Sequence, residues 1–413
     1  MALDFGTSTH PGVQAQLDRL AALSVPQGRL GLETIRALLA RLGDPHLCLP
    51  PTFHVAGTNG KGSTCAFLRA MLEAQGYRVH VTTSPHLVRY NERIRVAGKL
   101  IGDDRLEALL EQVLDASADL APSFFEVTIA AAFTEFARIP ADACVVEVGL
   151  GGRFDATNAL TPDVLAACGI AALGLDHERF LLAPEDGVPG EPMARIAFEK
   201  AGIAKAGVPL VTIPQAELEM TAIRAVAARA GAPIIVAEPA PDLPLALPGN
   251  HQRVNAGLAM AMLRAQALLP VSGQSIEAGM NEARWPARLQ RLSPGPLVGT
   301  REVWLDGGHN PSAGQALAAH FAARPLHLVI GMIEGKDPLA LTGPLAGNLS
   351  SLSAVPVPMQ DCHPPEAFGP KAAPFPDVPA ALAALPDDDL PVLIAGSLYL
   401  AGEVLRLNGE LPD

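Results

Sequence analysis

The chain has 413 residues, 30 basic and 43 acidic, giving a net charge of −13, with 49% hydrophobic and 18% charged residues. At about 150 residues per domain this predicts two or three domains with sizeable cores, and it excludes a disordered or low-complexity chain. The acidic balance excludes a globally basic nucleic-acid surface, while anionic small molecules stay open as ligands because local cations and backbone N–H groups outweigh a screened distant charge.

Short β-branched runs alternating with amphipathic segments predict βαβ units around a mostly parallel sheet. In chain order the predicted strands are 53–56, 79–83, 143–148, 164–173, 209–213 and 234–236. Between them, 103–118 carries Leu106, Leu109, Leu110, Val113 and Leu114 on one helical stripe, and 125–137 and 217–230 also read as helices. A second alternation follows: strand 303–306, helix 312–323, strands 326–331 and 392–395, helix 398–407. It is long enough for a separate, smaller α/β domain. Trp285-Pro286-Ala287-Arg288, followed by Ser293-Pro294-Gly295-Pro296, marks the boundary, giving domains 1–284 and 285–413. The Pro-rich piece 356–379 reads as a surface excursion.

The longest uncharged stretch, 338–360, is interrupted by Pro and Gly and is no apolar helix of about 20 residues, so no membrane span is expected. The N-terminus shows no basic region followed by an apolar run, which argues against a secretory signal and makes the cytoplasm the expected compartment. Cys48, Cys65, Cys144, Cys168 and Cys362 show no Cys-x-x-Cys spacing, which argues against disulfides or a cysteine metal site.

The most specific local feature is Gly57-Thr58-Asn59-Gly60-Lys61-Gly62-Ser63-Thr64, directly after the first predicted strand and directly before a helix ending near Gly76. Glycines let backbone N–H groups face phosphate oxygens, and the helix N-terminus favours negative charge. Lys61 can reach the β/γ-phosphates, and Ser63 or Thr64 can contact them or Mg²⁺. The ordinary P-loop spacing fails, since Gly62 separates Lys61 from Ser63 and position 55 is Val55 rather than glycine. The bland alternative is a Gly-rich turn with a solvated lysine; the strand-to-helix placement favours the phosphate loop.

Three further polar patches lie at or just beyond the carboxyl ends of predicted strands, where ligands of open α/β sheets bind. They are Ser84-Pro85-His86-Leu87, Glu147 through Asn158, and Asp176-His177. Ser84, Glu147 and His177 offer a hydroxyl, a carboxylate and an imidazole that could converge on one hard cation beside a nucleotide's phosphates. Glu147 is the least bland, because a carboxylate ending an apolar strand needs a partner, whereas a lone His177 is more often an exposed or satisfied histidine. Lys200, in Phe198-Glu199-Lys200-Ala201-Gly202, reads on its own as a solvated helix-end lysine.

Taken together, these residues resemble the folylpolyglutamate synthase/dihydrofolate synthase family, relatives of the muramyl peptide ligases. The resemblance spans nearly the whole chain: Gly57 to Thr64, Ser84 to Leu87 with Arg89 to Arg93, Phe124-Phe125-Glu126, Glu147 to Asn158, Leu175-Asp176-His177, Glu199 to Ile203, His251 to Asn255, Asp306 to Pro311 and Gly396-Ser397-Leu398-Tyr399. It implies an α/β fold with an N-terminal P-loop-type ATPase domain, built on a mostly parallel sheet. A smaller C-terminal Rossmann-like domain would close on ATP, exclude water and bind glutamate. The implied reaction is ATP-dependent ligation: ATP phosphorylates a pteroate or folate carboxyl, and the glutamate amine attacks the acyl phosphate.

By the same resemblance Thr58, Asn59, Gly60, Lys61, Gly62, Ser63 and Thr64 would hold ATP, with Asn255, Arg288, Asp306 and His309 as further nucleotide contacts. Ser84, Glu147 and His177 would bind Mg²⁺, and a carbamylated Lys200 a second one, leaving Lys61, His177 and Lys200 as the catalytic set. Ser123, Phe124, Phe125, Glu126, Phe154, Asp155 and Ala156 match the pterin site. The partners implied are dihydropteroate, folates, L-glutamate and ATP, with no nucleic acid or membrane, acting on a monomer. The form Arg153-Phe154-Asp155-Ala156-Thr157-Asn158 resembles members that make dihydrofolate as well as extending the glutamate tail, so both activities are expected. Two features depart from the pattern. Segment 180–197 is longer than expected and bears on where Lys200 sits; Lys336-Asp337-Pro338 resembles a Lys-Asp element of unassigned role. The rival readings are folylpolyglutamate synthesis alone, a muramyl-type amino-acid ligase, disfavoured by the Phe-Phe-Glu and Asp-Ala-Thr-Asn elements, and a nucleotide-binding switch without turnover.

Overall fold

The computed structural model describes residues 6–23, 31–322 and 324–413. The chain divides into two compact units. One runs to Ala246 and resumes over Gln252–Arg284; the other comprises Leu247–His251 and Trp285–Asp413. The short segment Leu247–His251 thus groups with the C-terminal unit, whereas a boundary read from composition alone assigns it to the N-terminal one.

In the N-terminal unit two helices, α1 (Pro11–Ala21) and α2 (Glu33–Arg41), precede the first strand. Then follow β1 (Thr52–Ala56), α3 (Lys61–Ala74), β2 (Val79–Thr82), β3 (Ile94–Val96), β4 (Lys99–Leu100), α4 (Asp103–Ala116), α5 (Phe124–Arg138), β5 (Ala143–Glu147) and β6 (Leu165–Ile170). The unit continues with α6 (Glu178–Leu181), α7 (Pro192–Ala201), β7 (Leu210–Thr212), α8 (Glu217–Ala230), β8 (Ile234–Val236), α9 (Asn250–Arg264, of which Asn250 and His251 group with the other unit) and α10 (Gly273–Glu282).

Its sheet has the order β4-β3-β2-β5-β1-β6-β7-β8, parallel except for the antiparallel β2-β3-β4 edge. β1, β2, β5 and β6 are buried at every position, as strands covered on both faces must be, which is why they read as continuous apolar runs. From β1 the chain goes to one side of the sheet, and from β5 to β6 it crosses to the other, so the order reverses at β1. Open α/β sheets place ligands at such a reversal, beyond the carboxyl ends of the strands. The loops after β1, β2, β5 and β6 are the four polar segments singled out above.

The C-terminal unit contains β9 (Gln290–Arg291), β10 (Val303–Asp306), α11 (Pro311–His320), β11 (Leu326–Ile330), α12 (Leu339–Leu345), β12 (Leu349–Ala354), β13 (Ala372–Pro374), α13 (Val378–Ala383), β14 (Val392–Ala395) and α14 (Leu398–Asn408). Its strand order is β13-β12-β11-β14-β10-β9, with only β9 antiparallel. Leu326, Leu328, Ile330, Leu341, Leu345 and Phe321 form its own core. Here 356–379 is more than a surface excursion: Ala372–Pro374 adds an edge strand to β12, and Val357 and Phe368 are buried. A proline-rich composition masks this because a three-residue edge strand needs few ladder hydrogen bonds.

Candidate active site

Gly60 opens the phosphate loop onto α3. It has φ of +85°, and a Cβ there would lie 2.3 Å from Asn255 Oδ1, so both backbone and neighbour demand glycine. No side chain caps α3. Thr64 N is the first to find a helical acceptor, Gly60 O at 2.9 Å, so the N–H groups of Lys61, Gly62 and Ser63 have no intrahelical carbonyl, and the helix dipole adds positive potential there. Ser63 and Thr64 are buried in this turn. On the other flank Thr58 N and Asn59 N donate to Ala172 O (2.8 and 3.1 Å), and Thr58 Oγ1 donates to Gly174 O (2.9 Å). The loop is thus pinned to the segment following β6, and Asn255, on α9, lies against it.

Lys61 is half-buried and folds back, donating from Nζ to Gly57 O at 3.1 Å and Thr58 O at 3.4 Å. Lys200 Nζ donates to the same Gly57 O at 3.0 Å. This corrects the reading of Lys200 as a solvated helix-end lysine: it is 3% exposed and reaches the phosphate loop. Burial, and then the neighbouring Lys61 charge, lower the Lys200 pKa to about 7, against the opposing pull of Asp176, Asp155 and Glu199. A substantial fraction of its amine is therefore neutral near neutrality, the form that can add carbon dioxide.

Among the proposed metal ligands, Ser84 and Glu147 come together, with Ser84 N donating to Glu147 Oε2 at 3.2 Å. Glu147 is buried at the end of β5. His177 begins α6 in the left-handed conformation, its N–H on Asp176 Oδ1 (2.9 Å) and its side chain 44% exposed. Among the described residues no group of three or more His, Cys, Asp or Glu side chains is gathered for a metal ion. Ser84 and Glu147 supply hard oxygen donors, and carbamylation would turn Lys200 into another, a set that suits Mg²⁺.

The residues matched to the pterin site divide by what they touch. Ser123 and Glu126 form the capping box of α5: Ser123 N and Oγ both donate to Glu126 Oε2 at 2.8 Å, so these polar atoms are engaged in holding the helix start. Phe124 packs edge-on against Tyr90 with Arg93 above it. Phe125 rests on Gly149, where a Cβ would meet its ring at 2.4 Å. Asp155 is buried, accepts from Leu150 N (2.8 Å) and Thr157 N (3.0 Å), and has its pKa raised by desolvation. Ala156 is buried beside it, and the Arg153 guanidinium lies 4.2 Å from the Phe154 ring centre.

In the C-terminal unit both Asp306 oxygens serve a turn at the end of β10: Oδ2 accepts from Leu289 N (2.8 Å) and Oδ1 from Gly308 N (2.7 Å). His309 Nδ1 lies 3.2 Å from Gly307 O, and Arg288 Nη1 donates to Ala287 O at 2.9 Å. Asp306, Arg288 and His309 therefore lie on one interlocked turn.

Sequence reasoning missed Glu185 and Arg195, which join Arg153 and Glu199 in one ionic network, and His54, which contacts Thr157. A polar residue in mid-strand was the available signal for His54, and the i,i+4 spacing of Arg195 and Glu199 was the one for their pair; the pairings of Glu185 with Arg153 and Arg195, and of Arg153 with Glu199, leave no trace at sequence spacing.

No protein-family model matches the chain. The chain is 36% identical over 344 residues to the dihydrofolate synthase/folylpolyglutamate synthase of Bacillus subtilis, covering 74% of this chain and 76% of that protein. It is 30% identical to the dihydrofolate synthetase of Saccharomyces cerevisiae, covering 92% and 98%. The bifunctional folylpolyglutamate synthase/dihydrofolate synthase of Yersinia pestis, complexed with AMPPNP and Mn ion, superposes with a TM-score of 0.81 at 28% identity over 96% of this chain and 98% of that one. A crystal structure of such a bifunctional enzyme with Mn, AMPPNP and L-glutamate bound gives a TM-score of 0.81 at 29% identity over 97% and 99%. The chain belongs to the folylpolyglutamate synthase/dihydrofolate synthase family of ATP-dependent ligases.

Proposed function

We propose that this chain joins L-glutamate to dihydropteroate and to folates, consuming ATP. The observation that carries the reading is the convergence of Lys61 and Lys200 on one loop carbonyl beside an uncapped helix start. There the first-turn N–H groups and Lys61 hold phosphate oxygens, and Lys61 offsets the charge that builds as the γ-phosphoryl group moves to the acceptor carboxylate. ADP leaves, the glutamate nitrogen bonds to the acyl carbon, the C–O bond to phosphate breaks, and the amine loses a proton. Ser84, Glu147 and His177 would hold one divalent cation and a carbamylated Lys200 a second, and these would supply further charge neutralisation at the phosphates.

On this reading Phe125, Phe154, Asp155 and Ala156 form the acceptor site, and the family resemblance gives Arg288, Asp306 and His309 a part in nucleotide binding. The presence of Asp155 within Arg153-Phe154-Asp155-Ala156-Thr157-Asn158 supports dihydrofolate synthesis beside tail extension. The test is an assay of the purified chain with ATP, Mg²⁺ and glutamate against dihydropteroate, tetrahydrofolate or a UDP-muramyl acceptor. Phosphate release is expected with the first two, and Lys61→Ala should lower it by about 10²–10³-fold with the fold intact. Release with the UDP-muramyl acceptor alone overturns the reading, and release with tetrahydrofolate alone removes its dihydrofolate synthase half.

A further inference from the structure

The strand that feeds the phosphate loop carries a polar side chain that none of these roles uses. His54 lies mid-strand in β1, paired in register with Val146 and Cys168, and is fully buried. Its Nε2 is 2.8 Å from Thr157 Oγ1, and the Thr157 hydroxyl donates to Asp155 Oδ1. Since that hydroxyl proton is committed to Asp155, Thr157 Oγ1 accepts from His54, which fixes the imidazole as the Nε2–H tautomer. Its Nδ1 has no hydrogen-bond partner among the described residues, so a proton there would be buried unpaired. Asp155, at the end of this chain of donors, also holds the Leu150 amide, beside the Gly149 on which Phe125 rests.

We propose that His54 is a positioning residue for the acceptor site: its Nε2–H locks the Thr157 hydroxyl onto Asp155, and Asp155 in turn fixes the Gly149–Leu150 turn under Phe125. The proposal rests on reading Asp155 and Phe125 as the acceptor site. A buried imidazole with one empty nitrogen is a poor substitute for valine in a central strand. Its return is orientational: without the Nε2–H the Thr157 hydroxyl regains its rotation and the buried Asp155 loses a fixed donor.

His54→Leu, His54→Gln, Thr157→Val and the His54→Leu/Thr157→Val double variant decide the matter, with kcat, KM for dihydropteroate, KM for ATP and thermal midpoint measured for each. His54→Leu should raise KM for dihydropteroate about fivefold, the worth of one hydrogen bond, with kcat and KM for ATP within about twofold of wild type. His54→Gln, which keeps an N–H donor, should recover much of the loss. In the Thr157→Val background His54→Leu should add nothing. An unchanged KM for dihydropteroate, an equal rise in both KM values, or additive effects of the two substitutions overturns the proposal.

Independently of activity, ¹⁵N NMR of the ligand-free protein should show the Nε2–H tautomer at His54; the Nδ1–H tautomer overturns it. A wild-type chain that uses neither pterin acceptor overturns the acceptor-site reading, and this proposal with it. A normal wild type with an indifferent His54→Leu variant overturns this proposal alone.

Discussion

Lys61 and Lys200 share the Gly57 carbonyl, yet only Lys61 was legible from its local pattern, Lys200 being marked by the family resemblance alone. Lys61 stands inside a glycine-rich strand-to-helix turn, a local pattern with its own chemistry. Lys200 is buried by contacts distant in sequence: Arg153 N donates to Glu199 O at 2.8 Å, pressing the end of α7 against the turn after β5. His54 was hidden for a related reason, since its partner Thr157 belongs to another segment altogether. Burial, with the Lys205 charge adding to it, lowers the His54 pKa from 6.5 to about 3. Between those values the unfolded chain binds a proton that the native state refuses. His54 thus contributes stability that is fully present above pH 6.5 and lost as pH falls towards about 3. One proton is worth about 1.4 kcal/mol per pH unit, so urea unfolding of wild type should lose roughly 2–3 kcal/mol more than His54→Leu between about pH 6.5 and 4.5. Equal losses in the two proteins would mean that the imidazole is not held neutral.

At the scale of elements, β12, partly exposed over its first half, was not read as a strand, while β1, β2, β5, β6, β11 and β14 were readable because burial on both faces writes continuous apolar runs. The ends of strands were not. β7 starts at Leu210, because Pro209 has no N–H to give the ladder, and β6 stops at Ile170, after which Ala172 O turns to the phosphate loop. The two-residue strands β4 and β9 carry too few side chains to show a period. Segment 180–197 is the element whose length was unexpected, and its structure explains what it holds. Glu185 accepts from Arg153 (Nη2 at 2.5 Å) and Arg195 (Nη2 at 2.8 Å), while Glu199 accepts from Arg153 at 2.8 Å and lies 3.1 Å from Arg195. Two guanidinium groups and two carboxylates therefore balance around the α7 turn that carries Lys200. Arg195 is only 6% exposed at its side chain, so removing Glu185 leaves a buried cation short of a partner. Glu185→Ala should cost about 2–3 kcal/mol in urea unfolding, and Glu185→Gln less, because one acceptor oxygen remains. A Glu185→Ala protein as stable as wild type would show that the second carboxylate is dispensable to the network.

For the whole molecule, a charge of −13 means that any anionic ligand must be met locally, and the uncapped N-terminus of α3 beside Lys61 is such a local positive region. The two units also differ in what holds them. The N-terminal core gathers α1, α2, α4, α5, α7 and α8 with the central strands, while the C-terminal core is built around β11 and is separate from it. Separate cores predict separate cooperative transitions rather than one two-state unfolding. Leu328, fully buried at the middle of β11, belongs to the C-terminal core alone. Leu328→Ala should destabilise that unit by about 2–5 kcal/mol, through lost burial and the cavity left behind, and lower its calorimetric transition by roughly 10 °C. The transition of the N-terminal unit, which owes nothing to that cavity, should stay where it is. A single transition in wild type, or an equal displacement of both in the variant, would show that the two cores unfold as one.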